Sequence, residues 1–211
     1  DRSQVLLISS VPRMWNEEGL NKVLAGKELL ERNPHVESAS LSLGSPAIQF
    51  NMGSDNVYVA GHPQDEGINA NISRSDEDYA DVYGLSLIDG TYFNKEHGSH
   101  VPWSVVINES TQRALSLKVC DKLKFSQAGD QEFSVAGIVK DFHFESLHEP
   151  VKPAVLLHVR DIPVFRYFSL KLRPGNPVTA MQDIEKTWRQ AFPDDAFLAN
   201  YANERVEQQY K

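Results

Sequence analysis

The stretch "SQVLLISSVPRMWNEEGLNKVLAGKELLERNPHVESASLSLG", Ser3–Gly44, decides the architecture. Ser3 to Val11 is an apolar run that suits a buried strand, and Pro12 ends it. From Asn16 to Arg32 the period becomes helical, with Leu20, Val23, Leu24 and Leu30 on one side and Lys22, Glu28 and Glu31 elsewhere. Asn33-Pro34 stops that helix, because the residue before proline is pushed out of the helical region. His35 to Gly44 alternates Val36, Ser38 and Ser40 against Glu37, Ala39, Leu41 and Leu43, the pattern of a half-buried strand. The chain therefore opens on a β-α-β unit.

The end of the chain repeats this layout. Phe165–Gly175 reads as a strand, Pro177–Phe192 as a helix with Met181, Ile184, Trp188 and Phe192 on one face, and "AFLANY" as a second strand before a helical "NERVEQQYK". Between the two units the pattern is strand-rich. "IQFNM" and "NVYVAG" read as a hairpin about Gly53-Ser54-Asp55, followed by a strand at "INANIS". Ser75 is placed to cap a short helix that Gly84 ends. "LSLIDGTYF" reads as strand plus turn, "WSVVINESTQRALSL" as a strand entering a helix, and "DKLKFSQAGDQEFSVAGIV" as a hairpin. "PAVLLHV" is one more strand. The expected class is α+β, with the end units sharing one sheet and the middle inserted between them.

Composition narrows the function. Of 211 residues, 29 are acidic and 21 basic, a formal net charge of −8, and no basic run occurs. Affinity for nucleic acid comes largely from clustered Lys and Arg, so nucleic acid and anionic membrane surfaces are poor partners. Cys120 is the only cysteine, which excludes an intrachain disulfide, a Cys-rich zinc site and a redox pair. Its setting in "LKVCDKL" reads as a small, partly buried hydrophobe. No apolar run approaches the ~20 residues of a membrane span. The chain starts at Asp1 without Met and stops at Lys211 inside a helical pattern, so both ends read as cuts in a longer protein.

Reactive patterns are few. There is no GxSxG elbow, no GxxxxGK[ST] loop and no GxGxxG. The densest polar stretch is "KDFHFESLHEP", Lys140–Pro150. On a strand, Asp141, His143 and Glu145 share a side, and His148 could complete a zinc or manganese set. The competing reading is a strand end with Phe142 and Phe144 turned to the core and the polar groups solvated. "NIS" at Asn71 and "NES" at Asn108 match the glycosylation acceptor, and the Trp188 face reads as core.

Six blocks in order carry a family resemblance: "YADVYGLSLIDGTYF", "VVINESTQRAL", "FSVAGIVKDFHFESLHEPVKPAVL", "SLKLRPGN", "IEKTWRQAFPDDAF" and "NERVEQQY". Together they resemble the extracytoplasmic domain of MacB/FtsX-like ABC transporter permeases, in the form common in Bacteroidetes. "GIVKDFHFESLHEPVKP" is the most specific block. The likeness runs from Val5 to Tyr210 and is strongest after Asp78. At "LSLKVCDKLKF" the chain departs from the pattern: Val119–Lys122 stands where similar proteins carry a longer loop with Pro-Ile-Gly-Lys.

The resemblance implies a porter-like subdomain at 1–50 and 162–211 and an inserted β-rich, Sabre-like subdomain at 51–161. It implies a transmembrane helix just before Asp1, another just after Lys211 and two more beyond, with the domain on the periplasmic side of the bacterial inner membrane. ATP hydrolysis would sit on a separate cytoplasmic domain or subunit, coupled to extracytoplasmic motion by mechanotransmission. The implied partners are a second permease copy in a homodimer or related heterodimer, the ATPase, and a periplasmic adaptor or substrate protein. No catalytic, cofactor-binding or metal-binding residue is implied. Two alternatives stay open: a module that senses an envelope ligand, and a metal-dependent hydrolase on Asp141, His143 and His148.

Overall fold

A computed structural model describes residues 4–45, 53–93, 95, 100–142 and 150–202. The first unit comprises β1 (Val5–Ile8), α1 (Glu17–Glu31) and β2 (Val36–Ser42). Helix α1 starts where Asn16, in extended conformation, accepts from the Gly19 N–H, and Glu17 and Glu18 sit in the electropositive first turn. Its inward side buries Leu20, Val23 and Leu30. The last unit comprises β10 (Tyr167–Leu172), α4 (Pro177–Ala191) and β11 (Ala199–Tyr201). Asn176 caps α4 by accepting from Val178 and Thr179, with Pro177 pre-set for the first turn.

These four strands lie in the order β11-β1-β10-β2, every neighbour antiparallel. Each β-α-β unit is thus split, with a strand of the other unit between its two strands. Both helices cover one face, where Leu6, Ile8, Leu20, Val23, Leu30, Phe168, Ile184 and Trp188 form the core. Trp188 is fully buried against Phe168, Phe192 and Phe197, as the periodicity of α4 requires. One expectation changes here. Strand β2 is buried on both faces from Ala39 to Ser42, because a second layer covers the side away from α1 and α4.

The middle closes on itself. It contains β3 (Ser54–Val59), β4 (Ile68–Ser75), β6 (Ser104–Asn108), β7 (Lys122–Phe125), β8 (Phe133–Val139) and β9 (Ala154–His158). Strand β3 pairs β4, β4 pairs β9, β9 pairs β6, β6 pairs β8, β8 pairs β7, and β7 returns to β3. That cycle is a six-stranded barrel, parallel only at β4–β9 and β6–β8. Alternate residues fill it, among them Val57, Ala70, Ile72, Val105, Ile107, Leu123, Phe125, Phe133, Val135 and Leu157. A bulge beside Ala136 shifts the inward set on β8 from Val135 to Ile138.

Outside the barrel, α2 (Tyr79–Tyr83), β5 (Leu87–Gly90) and α3 (Glu109–Leu115) complete the chain. Strand β5 crosses β8 so closely that a Cβ on Gly90 would lie 2.3 Å from the Ala136 carbonyl and one on Gly137 2.3 Å from that of Thr91. Tyr79, Ala80, Tyr92 and Phe93 bury the outer face of β6, β8 and β9 through Val106, Val139 and Leu156.

Three local expectations fail. Ser54 and Asp55 belong to β3 rather than to a turn, and "IQFNM" lies outside the described residues. Ser75 stays in β4, where its hydroxyl meets Asp76 and Tyr92, so α2 begins from Asp78 without a side-chain cap; Gly84 does end it, at φ 65°. Cys120 is exposed with φ 75°, because the turn between α3 and β7 places it outward. Asn108, in the second acceptor motif, is buried at 1% exposure, which closes it to glycosylation. "NERVEQQYK" lies outside the described residues.

Candidate functional site

Among the described residues one strand bridge joins the split sheet to the barrel, Ser42 opposite Ser75. Backbone bonds from Leu43 to Arg74 and from Asp76 to Leu41, both 2.9 Å, flank it. Beside this seam lies a cluster of charges. Lys27, on the buried arc of α1 with Leu20, Val23 and Leu30, reaches across the seam. Its Nζ lies 2.7 Å from Asp76 Oδ2, 2.5 Å from Asp78 Oδ2 and 3.3 Å from Glu31 Oε1. The Lys27 side chain is 7% exposed and that of Asp76 2%. Asp76 is also held by the Ser40 hydroxyl at 2.7 Å, the Leu41 N–H at 2.9 Å and the Asp78 N–H at 3.1 Å. Lys95 continues the chain of charges, bonding Asp78 at 2.9 Å and also Asp81.

Burial by itself would lower the Lys27 pKa, but the adjacent Asp76 and Asp78 carboxylates outweigh it, and the ammonium is held more firmly than usual. For Asp76 burial is the larger influence and raises its pKa against the pull of Lys27. Carboxylates outnumber ammonium groups here, so the joint keeps its charges only while each stays paired.

Hydroxyl bonds lace the same seam. The Tyr83 OH, on α2, lies 2.6 Å from Ser169 Oγ on β10 and 2.8 Å from Ser45 Oγ. Tyr92 meets Ser75 at 2.7 Å. Burial pushes both phenols above their ordinary pKa, so they remain neutral hydroxyls. Beyond them, His158 Nδ1 accepts from the Arg160 N–H at 3.0 Å, which leaves Nε2–H to donate to Glu77 at 2.8 Å. That hydrogen bond, more than any other influence, lowers Glu77 to about 2. His100 stacks on His158 at 4.0 Å and bonds Asp161 at 2.8 Å.

The sequence profile of the MacB-like periplasmic core domain matches residues 2–187. The chain belongs to this family. The fold is shared with solved structures at low identity. The periplasmic region of MacB from Actinobacillus actinomycetemcomitans is 15% identical at a TM-score of 0.66, over 99% of this chain and 92% of that one. A domain of a putative permease from Porphyromonas gingivalis is 13% identical at 0.65, over 97% and 96%. The extracellular domain of YknZ, a noncanonic ABC-type transporter of Gram-positive bacteria, is 10% identical at 0.58, over 93% and 98%. No curated protein sequence matches the chain. No described helix is long and apolar enough to cross a membrane.

Within this MacB-like core domain the polar block splits. Asp141 serves α3: its Oδ1 accepts from the Ser110 N–H at 2.9 Å, and its Oδ2 from the Ser110 hydroxyl at 2.8 Å and from Arg113 at 3.1 Å. Both oxygens are engaged at a helix start, as suits a carboxylate beside free N–H groups. Phe142 packs on the outer barrel cluster. Phe144, His143, Glu145, His148 and Glu149 lie outside the described residues. Among the described residues no group of three His, Cys, Asp or Glu side chains is placed to hold a metal.

The MacB-like signature otherwise maps to seams. Asn108 of "VVINE" caps α3 through Thr111 and accepts from the Ala154 N–H while its amide donates to Lys152. The joint itself escaped sequence reading. Its one available signal was Lys27, a lysine on the apolar arc of an amphipathic helix, where a buried partner is required.

Proposed function

We propose that this domain is a rigid extracytoplasmic lever of an ABC permease, moving as one body when the cytoplasmic ATPase cycles. It couples hydrolysis to motion outside the membrane and carries out no chemistry of its own. The supporting observation is the Lys27–Asp76–Asp78 joint, buried between α1 and the segment after β4. Swinging the barrel away from the split sheet would unpair these charges. The strand bridge and the hydroxyl bonds of the same seam would be lost with them.

In this reading 1–50 and 162–211 form the porter-like part that follows the membrane helices, and 51–161 forms the inserted Sabre-like part. Separate hydrophobic clusters in the two support that division. A second permease copy faces this one, and a periplasmic adaptor or substrate protein meets the inserted part.

Spin labels in the full transporter test this. With Cys120→Ser as background, Glu18→Cys on α1 and Asp130→Cys on the β7–β8 turn report distance within a protomer. Asp130→Cys alone reports distance between protomers. The expected result is an unchanged Glu18–Asp130 distance on nucleotide binding and a changed Asp130–Asp130 distance. A fixed distance between protomers refutes coupling; a shift within the protomer refutes the lever.

A further inference from the structure

The barrel interior is not filled to its end. Where β4 and β9 finish and β8 begins, a cavity of about 240 Å³ remains, lined by Ile72, Arg74, Phe125, Phe133, Leu157 and Ile162. Arg74 follows Ala70 and Ile72 on the inward face of β4, at a position where this barrel elsewhere places apolar side chains. Its Nε is buried and has no hydrogen-bond partner. Burial is the influence acting on the guanidinium, and it lowers the pKa with no carboxylate opposing it. The acid on the rim, Asp55, is spent on local backbone: Oδ1 accepts from Asn56 at 2.7 Å and Oδ2 from Gln127 at 3.1 Å.

A half-buried guanidinium whose Nε has no partner, set among aromatic and aliphatic walls, gains from an anion that supplies acceptor and counter-charge. We propose that this barrel end is a binding site for a free carboxylate carrying a compact apolar group, with Arg74 as the anion-binding residue. The planar fork of Arg matches a carboxylate through two parallel bonds. Phe125, Phe133, Leu157 and Ile162 receive the apolar part. The cavity falls below the ~300–1,000 Å³ of sites for drug-sized ligands, and suits one amino-acid residue. Both a small free acid and the C-terminal residue of a peptide present this chemistry. The site stands apart from the lever reading, since binding here requires no motion of the joint.

The test is titration of the chain with N-acetyl-leucine, with a short peptide ending in Leu, and with the amide of each. Calorimetry gives affinity, and the Nε–Hε resonance of Arg74, assigned with Arg74→Gln, gives location. Expected is saturable binding of at least one acid, an amide weaker by roughly tenfold or more, and loss of that difference in Arg74→Gln. Peptide binding without N-acetyl-leucine binding assigns the site to chain termini; comparable binding of both assigns it to small acids. Thermal unfolding of Arg74→Gln without ligand checks that the variant folds. Equal affinity for acid and amide, an unmoved Arg74 resonance, or no binding by either acid overturns the proposal. The resonance test needs no variant beyond its assignment.

Discussion

Replacing Lys27 by Met tests the joint most directly. Met retains the aliphatic stem and removes the Nζ that lies 2.7 Å from Asp76 and 2.5 Å from Asp78. Asp76 keeps the Ser40 hydroxyl and the Leu41 and Asp78 N–H groups but loses its counter-charge, with its side chain 2% exposed. Leaving a buried charge unpaired costs about 3–5 kcal/mol. The three remaining hydrogen bonds hold the expected loss near the lower end, about 3 kcal/mol at neutral pH. The loss depends on pH with a definite sign. Asp76 is already raised by burial, and without the opposing pull of Lys27 it rises further. The folded variant then holds a proton that the unfolded chain releases, so its stability increases as pH falls toward the unfolded carboxylate range. In the parent, the raised Lys27 contributes fully below the unfolded lysine value and loses that contribution only at higher, strongly alkaline pH. It adds no slope in this window, and the gap between variant and parent narrows toward acid. Urea unfolding followed by the fluorescence of buried Trp188 measures the gap. Lys27→Met with Asp76→Asn should return more than half of the loss. A loss below about 1 kcal/mol, or a gap that does not narrow, refutes the reasoning.

Glu77 gives the acid limb. Its carboxylate is lowered to about 2 by the His158 hydrogen bond, so the stability it contributes is present above the unfolded value of 4.5 and is lost as pH falls from there through about 2. The side chain is 39% exposed, so solvent screening reduces this to about 1 kcal/mol; Glu77→Gln should flatten acid unfolding by that amount. Asp141→Ala removes the acceptor at the start of α3 and should cost about 0.5–2 kcal/mol in thermal unfolding, with no change on adding chelator or zinc. A chelator-sensitive melting temperature that Asp141→Ala abolishes would restore the metal reading.

The end units were legible because their signals are local. Pro12 and Asn33-Pro34 stop elements, the spacing of Leu20, Val23 and Leu30 marks one face of α1, and that of Met181, Ile184 and Trp188 one face of α4. The barrel was not legible because its closure depends on pairs remote in sequence. Strands β4 and β9 align Asn71 with Ala154 and Ser75 with His158, and neither segment carries a mark of the other. Strand β2 was misjudged for the same reason: its second face is covered by residues that follow the Ser75 bridge. Cys120 escaped because its backbone, in the left-handed region, turns the side chain outward whatever its hydrophobicity.

The blocks that carry the family resemblance invite a search for chemistry, but several of their described residues have mechanical work. Tyr83 joins α2 to Ser169 across the seam, and Tyr92 holds Ser75 at the bridge. Gly90 and Gly137 permit a crossing that any Cβ would block. Asn108 and Asp141 order opposite sides of the same helix start. Each substitution at such a position leaves a buried polar group unsatisfied or forces two backbones apart. Those are penalties on shape, and they require no substrate. A domain that transmits motion needs this kind of constraint, because a lever loses displacement at every seam that yields. The buried charges at Lys27 and Asp76 fit that demand, since a buried ion pair holds a direction that apolar contact alone does not. Arg74 departs from the pattern. Its carbonyl accepts from Leu43 at the seam, but its side chain is a charged group at a barrel end whose buried Nε no neighbour satisfies. A side chain that takes no part in the joint and sits against an open cavity is where recognition, rather than rigidity, is to be sought.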